Sequence, residues 1–89
     1  MKYCFIILEI QSGDFSGYSY GVYDVAKEED ILALANQLAK SQYNDCENAK
    51  EFDNGESEYC EFYEGTFLVR VHSAKDIPKE DYEVLEKYF

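Results

Sequence analysis

The stretch KYCFIILEI, residues 2–10, decides the fold, because it is apolar on both faces of an extended chain. Alternate residues of a strand point to opposite faces. The even positions from Cys4 to Ile10 therefore share one face, and the odd positions from Tyr3 to Ile7 share the other. Apolar residues on both faces predict a central strand of a sheet. The run before Glu9 is too short for a secretory signal or a membrane span.

The elements around this strand follow from the periodicity of apolar residues. Ile31, Leu34, Ala35 and Leu38 recur at helical spacing, whereas the other segments alternate or follow a proline. The order ββαββα predicts an α+β fold, with a four-stranded, mainly antiparallel sheet and both helices packed on one face. The predicted strands cover about 2–10, 18–25, 58–63 and 66–73, and the predicted helices about 27–42 and 77–88.

Turn residues predict the register of the second hairpin. Glu64-Gly65 suits a two-residue turn between the last two strands. That turn places Phe62 opposite Phe67 and Cys60 opposite Val69.

Two smaller predictions concern individual side chains in the strands. In the second strand the alternation shifts at Gly21, which predicts a β-bulge there. On the outer face of the second hairpin, Tyr59 is expected opposite Arg70, with Glu61 diagonal to the arginine.

Length and composition predict one folded domain. Eighty-nine residues do not suffice for a second core. Disordered acidic chains are usually poor in aromatic residues, whereas this chain is 17% aromatic and 46% hydrophobic. We therefore expect a single acidic α+β domain that spans residues 1–89.

The cysteines bear on the compartment. Cys4, Cys46 and Cys60 form an odd set without a close pair, which is not typical of a disulfide framework. A reducing, cytoplasmic location is therefore expected. Strong acidity also argues against direct binding of nucleic acid or of an anionic membrane, because phosphate groups attract Lys and Arg.

Charge is the feature of the sequence that bears most on function. The chain has 19 Asp and Glu against 8 Lys and Arg, a net charge of -11. From Asp45 to Glu64 the only base is Lys50, against eight acids. These acids are Asp45, Glu47, Glu51, Asp53, Glu56, Glu58, Glu61 and Glu64.

The sequence favours no catalytic or metal chemistry. An EF-hand aligned on Gly55 would place Lys50 and Phe52 at ligand positions, which neither residue can fill. Zinc ligands lack the paired spacing of structural sites. The chain has a single histidine, His72, and no carboxylate pair that stands apart. We therefore expect a protein that is not an enzyme and carries no cofactor.

The leading hypothesis is an acidic nucleic-acid mimic that binds a basic, nucleic-acid-binding protein. Carboxylates on one strand face lie about 6.7 Å apart, and those at i and i+4 of a helix rise by about 6 Å. Both spacings resemble the separation of neighbouring phosphates. The predicted contact surface comprises Asp45, Glu47, Glu51, Asp53, Glu56, Glu58, Tyr59, Glu61 and Tyr63.

Two alternatives remain open. One is a small cytoplasmic interaction or regulatory module that binds through a tyrosine-rich surface, with acidity serving solubility. The other is a small metal- or ligand-binding protein. Under any of these hypotheses a homodimer is compatible with the sequence but not required. In size, charge and α+β pattern the chain resembles phage-encoded inhibitors of bacterial defence, such as anti-restriction and anti-CRISPR proteins. That resemblance lies in composition and implies an inhibitor that binds protein.

Overall fold

The computed structural model describes residues 2–44 and 46–89, and these form four strands and three helices. The α+β class is confirmed, with a short additional helix in the polar segment between the two hairpins. The strands are β1 (Lys2–Ser12), β2 (Phe15–Val25), β3 (Cys60–Phe62) and β4 (Phe67–Ile77), and the helices are α1 (Ile31–Lys40), α2 (Ala49–Asp53) and α3 (Lys79–Glu86).

The sheet is antiparallel throughout, with the order β2-β1-β4-β3. β1 lies between β2 and β4, as its two apolar faces predict. The predicted register of the second hairpin is confirmed, because Cys60 pairs with Val69 and Phe62 with Phe67. β4 continues to Ile77, beyond its predicted end, because residues from Ala74 onward pair with β1.

The first hairpin is longer and more regular than the sequence predicts. β1 and β2 form eleven consecutive pairs, from Lys2 with Val25 to Ser12 with Phe15. The connecting loop is only Gly13-Asp14, and Gly13 has a φ of 59°. A positive φ at the first position suits the tight turns that join twisted antiparallel strands.

The bulge predicted at Gly21 is wrong, since the β1–β2 ladder runs through this residue without a shift. A Cβ at Gly21 would lie 2.5 Å from the Tyr23 hydroxyl oxygen. Glycine therefore leaves room for the Tyr23 ring, which a larger residue at position 21 would displace, and it does not mark a bulge of the strand. The irregularity lies in the β1–β4 ladder, between Ile7 and Leu8.

One face of the sheet carries the main core. Helix α1 begins after Asp30, whose carboxylate accepts the Leu32 amide at 3.0 Å and caps the helix. Ala35 and Ala39 of α1 are fully buried against the sheet. Their partners in the core include Cys4, Ile6, Leu8, Phe52, Cys60, Phe62 and Val69.

Helix α3 lies on the opposite face, so the prediction that both helices share one face is wrong. The Tyr82 ring of α3 packs 4.6 Å from that of Tyr3, and Phe89 stacks on Phe5 at 6.0 Å. Tyr3 and Phe5 belong to the face of β1 turned away from α1. The physical reason is the one that makes β1 central, since an apolar residue set on each face needs cover on each face.

The expectation about the cysteines is also wrong for two of the three. Cys46 and Cys60 form a disulfide with a Cα–Cα distance of 5.9 Å, and Cys4 is a buried free thiol. Spacing along the sequence did not reveal this pair, because the fold returns the polar segment to β3. The argument from unpaired cysteines to a reducing compartment therefore loses its basis. In the described residues, no helix is both long and apolar enough to cross a membrane.

Candidate acidic interface

The acid-rich stretch between Asp45 and Glu64 is called the acidic segment here, and the structure describes it from residue 46. It is fixed to the edge of the sheet rather than extended into solvent. The Cys46–Cys60 disulfide ties its start to β3. The Phe52 side chain, on α2, is only 8% exposed and belongs to the main core. α2 is therefore held by one apolar anchor, and its polar residues face outward.

Asn48 joins the two ends of the acidic segment. Its Nδ2 donates to Ser57 Oγ and to the Tyr59 carbonyl, each at 2.7 Å. Its Oδ1 accepts the Glu61 amide at 3.1 Å. Because one amide side chain satisfies partners on both sides of the loop, the loop closes into a compact unit against β3.

The closed loop brings three glutamates together, namely Glu47, Glu61 and Glu64. The Glu47 amide donates to the Glu61 carbonyl at 2.9 Å. The Glu64 amide donates to Glu47 Oε1 at 2.6 Å, which fixes that carboxylate on the hairpin turn. This turn has positive φ at both central positions, 58° at Glu64 and 82° at Gly65. In the part of the chain that the structure describes, no group of three His, Cys, Asp or Glu is arranged to hold a metal.

Two of the predicted contact acids are paired with bases. Asp53 forms an ion pair with Lys40, and Glu58 one with Arg70 at 2.6 Å. The other described acids of the segment are exposed and, across residues 2–44 and 46–89, have no Lys or Arg nitrogen within 4.0 Å. They are Glu47, Glu51, Glu56, Glu61 and Glu64.

Arg70 has a structural role of which the sequence predicts only one contact. Its predicted contact with Tyr59 is present, with the guanidinium 5.3 Å from the ring centre. Its carboxylate partners are Glu58 and Glu9, neither of which the sequence analysis placed beside it. The signal was available in principle, because Glu9 interrupts an apolar strand and Arg70 is the only arginine in the chain.

Glu9 is the one buried acid among the described residues, at 7% exposure. Arg70 Nε donates to Glu9 Oε2 at 2.6 Å, and Gln11 Nε2 donates to Glu9 Oε1 at 3.0 Å. The hydrogen bond from Arg70 lowers the pKa of the Glu9 carboxyl below its ordinary value, against the opposing effect of burial. This pair joins β1 to β4 beside the acidic interface and keeps Glu9 charged.

The two tyrosines predicted at the interface differ in exposure. Tyr63 is 48% exposed at the hairpin turn. Tyr59 is half-buried against Arg70 and offers less surface than the sequence suggested. Tyr18 and Tyr20, each 50% exposed, lie on β2 at the far side of the sheet and belong to a separate surface.

The structure therefore places eight of the nine predicted contact residues along one edge, around α2, β3 and the last hairpin turn. Asp45 is the ninth and lies outside the described residues. We define the acidic edge as Glu47, Glu51, Glu56, Glu61 and Glu64. Comparison with known protein families, curated proteins and solved structures finds no match.

Proposed function

We propose that the protein is a small acidic inhibitor that binds a basic, nucleic-acid-binding protein by mimicking nucleic acid. The observation that carries this proposal is the acidic edge, five exposed carboxylates without a basic partner within 4.0 Å in the described residues. A cluster of uncompensated charge costs stability through self-repulsion. A basic partner would relieve that cost on binding.

Inhibition by this route needs no catalysis. Lys and Arg side chains that line a groove for phosphates attract carboxylates in the same way. Charge complementarity of this kind accelerates association and makes it sensitive to salt. The inhibitor would exclude DNA or RNA by occupying the groove, as the compositional resemblance to phage-encoded anti-restriction and anti-CRISPR proteins implies.

A partner of this class would be met in the cytoplasm, where reductants open most disulfides. The proposal therefore requires the acidic edge to keep its arrangement when Cys46 and Cys60 are thiols. The hydrogen bonds of Asn48 and the buried Phe52 ring support this, because they hold the loop through contacts other than the S–S bond.

Competition with DNA tests the proposal. Proteins that the immobilised chain retains from a bacterial lysate at low salt are purified and bound to fluorescein-labelled duplex DNA. We expect the chain to release the duplex, measured as a fall in fluorescence polarisation. The variant E47Q/E51Q/E56Q/E61Q should lose this activity.

The matched control is E28Q/E29Q/E83Q/E86Q, which removes four exposed acids away from the acidic edge. Because both variants have the same net charge, they separate a local interface from bulk acidity. Equal loss of competition in both would contradict a local interface. Full competition by the acidic-edge variant would overturn the proposal.

A second candidate is a module that binds through tyrosines, and the exposure of Tyr18 and Tyr20 favours it. Their rings continue an aromatic strip, since Tyr20 stacks on Phe89 at 6.4 Å and Tyr18 packs 5.1 Å from His72. Binding of this kind would survive high salt and weaken on Tyr20→Ala. The duplex competition described above would then be absent.

A further inference from the structure

β2 is an unpaired sheet edge of unusual length. It pairs with β1 along all of its eleven residues, and in the described residues no strand lies on its outer side. The amide and carbonyl groups of an open edge offer a template on which another strand can pair. Most strands are about five or six residues long, so the template at this edge is about twice the usual length.

From Phe15 to Tyr23, β2 also lacks the features that normally protect such an edge, and its one charged residue is Asp24 near its end. Charged side chains, proline and bulges are the common protections. Residues 15–23 contain no charged residue and no proline, in a chain with a net charge of -11. The β1–β2 ladder has no bulge. By contrast, the outer stretch of β4 beyond β3 carries Arg70, Lys75 and Asp76.

The sequence of this edge is palindromic. Residues 17–21 read Gly-Tyr-Ser-Tyr-Gly, centred on Ser19. Two copies of β2 that pair antiparallel about a two-fold axis at Ser19 would place Tyr18 opposite Tyr20 and Gly17 opposite Gly21. A two-fold interface uses the same patch on both copies and must be complementary to itself. In this register the palindrome sets small glycines opposite each other and aromatic rings opposite each other, so the two copies meet without a clash of size or charge.

We propose that β2 pairs with β2 of a second copy, antiparallel and centred on Ser19, so that two four-stranded sheets become one continuous sheet. Tyr18 and Tyr20, each 50% exposed in one copy, would face each other across the axis and form aromatic cross-strand pairs. The uncharged edge is where two such acidic chains can approach at least electrostatic cost. The acidic edges lie beyond β4 of each copy, at the two ends of the joined sheet, and stay free.

The response to salt separates this dimer from the proposed function. Two copies of the same charge repel each other, and salt screens that repulsion. Dimerisation should therefore strengthen as salt rises, whereas binding of the acidic edge to a basic partner should weaken. Multi-angle light scattering with size-exclusion chromatography should show a mass approaching twice 10.4 kDa at high concentration and high salt.

Cross-linking tests the register. Directly opposed residues of antiparallel strands have Cα atoms about 4.5–5.5 Å apart, within the reach of a disulfide. Ser19→Cys should therefore give a covalent dimer on mild oxidation, seen as a doubled mass that reductant reverses. Ser16→Cys is the matched control, because two such residues would lie about 20 Å apart along the paired strands at about 3.4 Å per residue.

A third arm leaves Ser19 intact in case its variants fail to fold. The proposed register places Ser16 opposite Val22, so an equimolar mixture of Ser16→Cys and Val22→Cys chains should form a mixed disulfide dimer.

A charged variant tests the axis itself. Ser19→Lys, which sets two like charges together at the axis, should keep the mass monomeric. A monomeric wild-type mass at every concentration and salt, or equal cross-linking at residues 16 and 19, would overturn the proposal. Absence of duplex competition by the wild-type chain, with the dimer intact, would overturn only the proposed function.

Discussion

The two edges of the sheet differ in charge, in length and in how they are held. The β3 edge is three residues long and adjoins the acidic edge, with a disulfide and the Asn48 hydrogen bonds fixing the loop beside it. The β2 edge is eleven residues long and uncharged from Phe15 to Tyr23, and it is held by strand pairing and by aromatic packing, such as that of Tyr20 on Phe89. The net charge of the chain is therefore an average, because one edge of the sheet is strongly acidic and the other is largely uncharged.

This difference shows how a small domain can concentrate charge without unfolding. Like charges weaken a compact state, and three paired residues provide little pairing to resist that effect. At the acidic edge the additional hold comes from buried Phe52 and Phe62 and from the covalent link. At the β2 edge no such hold is needed. We expect perturbations of these anchors to affect the two edges unequally.

The largest expected effect is the loss of the Phe62 ring. Phe62 is fully buried in β3, and Phe→Ala substitutions at such sites cost about 3–5 kcal/mol through lost burial and a residual cavity. Phe15→Ala is the matched control at the β2 edge, where the ring is 65% exposed, and should change stability by less than about 0.5 kcal/mol. Urea denaturation measures both. Similar costs for the two variants would contradict the contrast between the edges.

The next effect is the loss of the disulfide. Its cysteines are 14 residues apart, and closing a loop of about 15 residues stabilises a protein by about 3 kcal/mol in the chain-entropy model. Cys46→Ala/Cys60→Ala should therefore lower the free energy of unfolding by about that amount, with Tm falling by about 4–8 °C for each kcal/mol. Differential scanning calorimetry measures the shift.

Reductant supplies the control for this prediction. It should lower the Tm of the wild-type protein toward that of the double variant and leave the double variant unchanged. Duplex competition should persist in both, because Asn48 and Phe52 still position the acidic edge. A reduced protein that keeps its stability but loses competition would show that the disulfide itself shapes the interface.

The third effect is a change in pH dependence on removing Arg70. The folded-state pKa of Glu9 is lowered by Arg70, whereas an unfolded Glu titrates near about 4.3. The stability that this carboxylate contributes is therefore complete above about pH 4.3 and is lost as pH falls through the lower folded pKa. In Arg70→Met the burial of Glu9 remains without its partner, which raises the carboxyl pKa instead.

The difference in unfolding free energy between wild type and Arg70→Met should thus be greatest at neutral pH and shrink as pH falls. Urea denaturation at a series of pH values from about 2.5 to 7 spans the titration of Glu side chains and measures it. Lys40→Met is the control, because it breaks the more exposed pair with Asp53. Its difference from wild type should be small at every pH. A pH-independent cost for Arg70→Met would mean that the residue acts through packing alone.

The sequence predicted the local parts of this fold and missed the contacts between distant parts. The periodicity of β1 and α1 and the Glu64-Gly65 turn reflect neighbours in the chain, so the central strand and the Cys60–Val69 register were accessible. The face chosen by α3 was not, because Tyr82 and Phe89 fit either face until Tyr3 and Phe5 are seen uncovered on one.

The same distinction holds for the candidate site. The acidity of the segment follows directly from its composition, and most of its carboxylates are exposed, as the sequence predicts. Which of them are neutralised depends on strand order, since Arg70 meets Glu9 only because β4 pairs with β1. The Cys46–Cys60 bond depends likewise on the return of the loop to β3. The sequence marks Glu9 and Arg70 as unusual residues, but the pairing itself, like the disulfide, depends on contacts between distant parts of the chain.

The smallest expected effect is the response of stability to salt, and it tests whether charge at the acidic edge is concentrated enough to matter. Screening shortens the reach of repulsion to about 10 Å at 0.1 M salt, so added salt should raise the wild-type Tm by a few degrees, equivalent to about 1 kcal/mol or less for a domain of this size. The E47Q/E51Q/E56Q/E61Q variant should show a clearly smaller rise than E28Q/E29Q/E83Q/E86Q, although the two have equal net charge. Thermal denaturation by circular dichroism at increasing NaCl measures both slopes. Equal slopes would mean that repulsion is spread over the whole molecule, including exposed acids such as Glu28 and Glu83, and is not concentrated at the acidic edge.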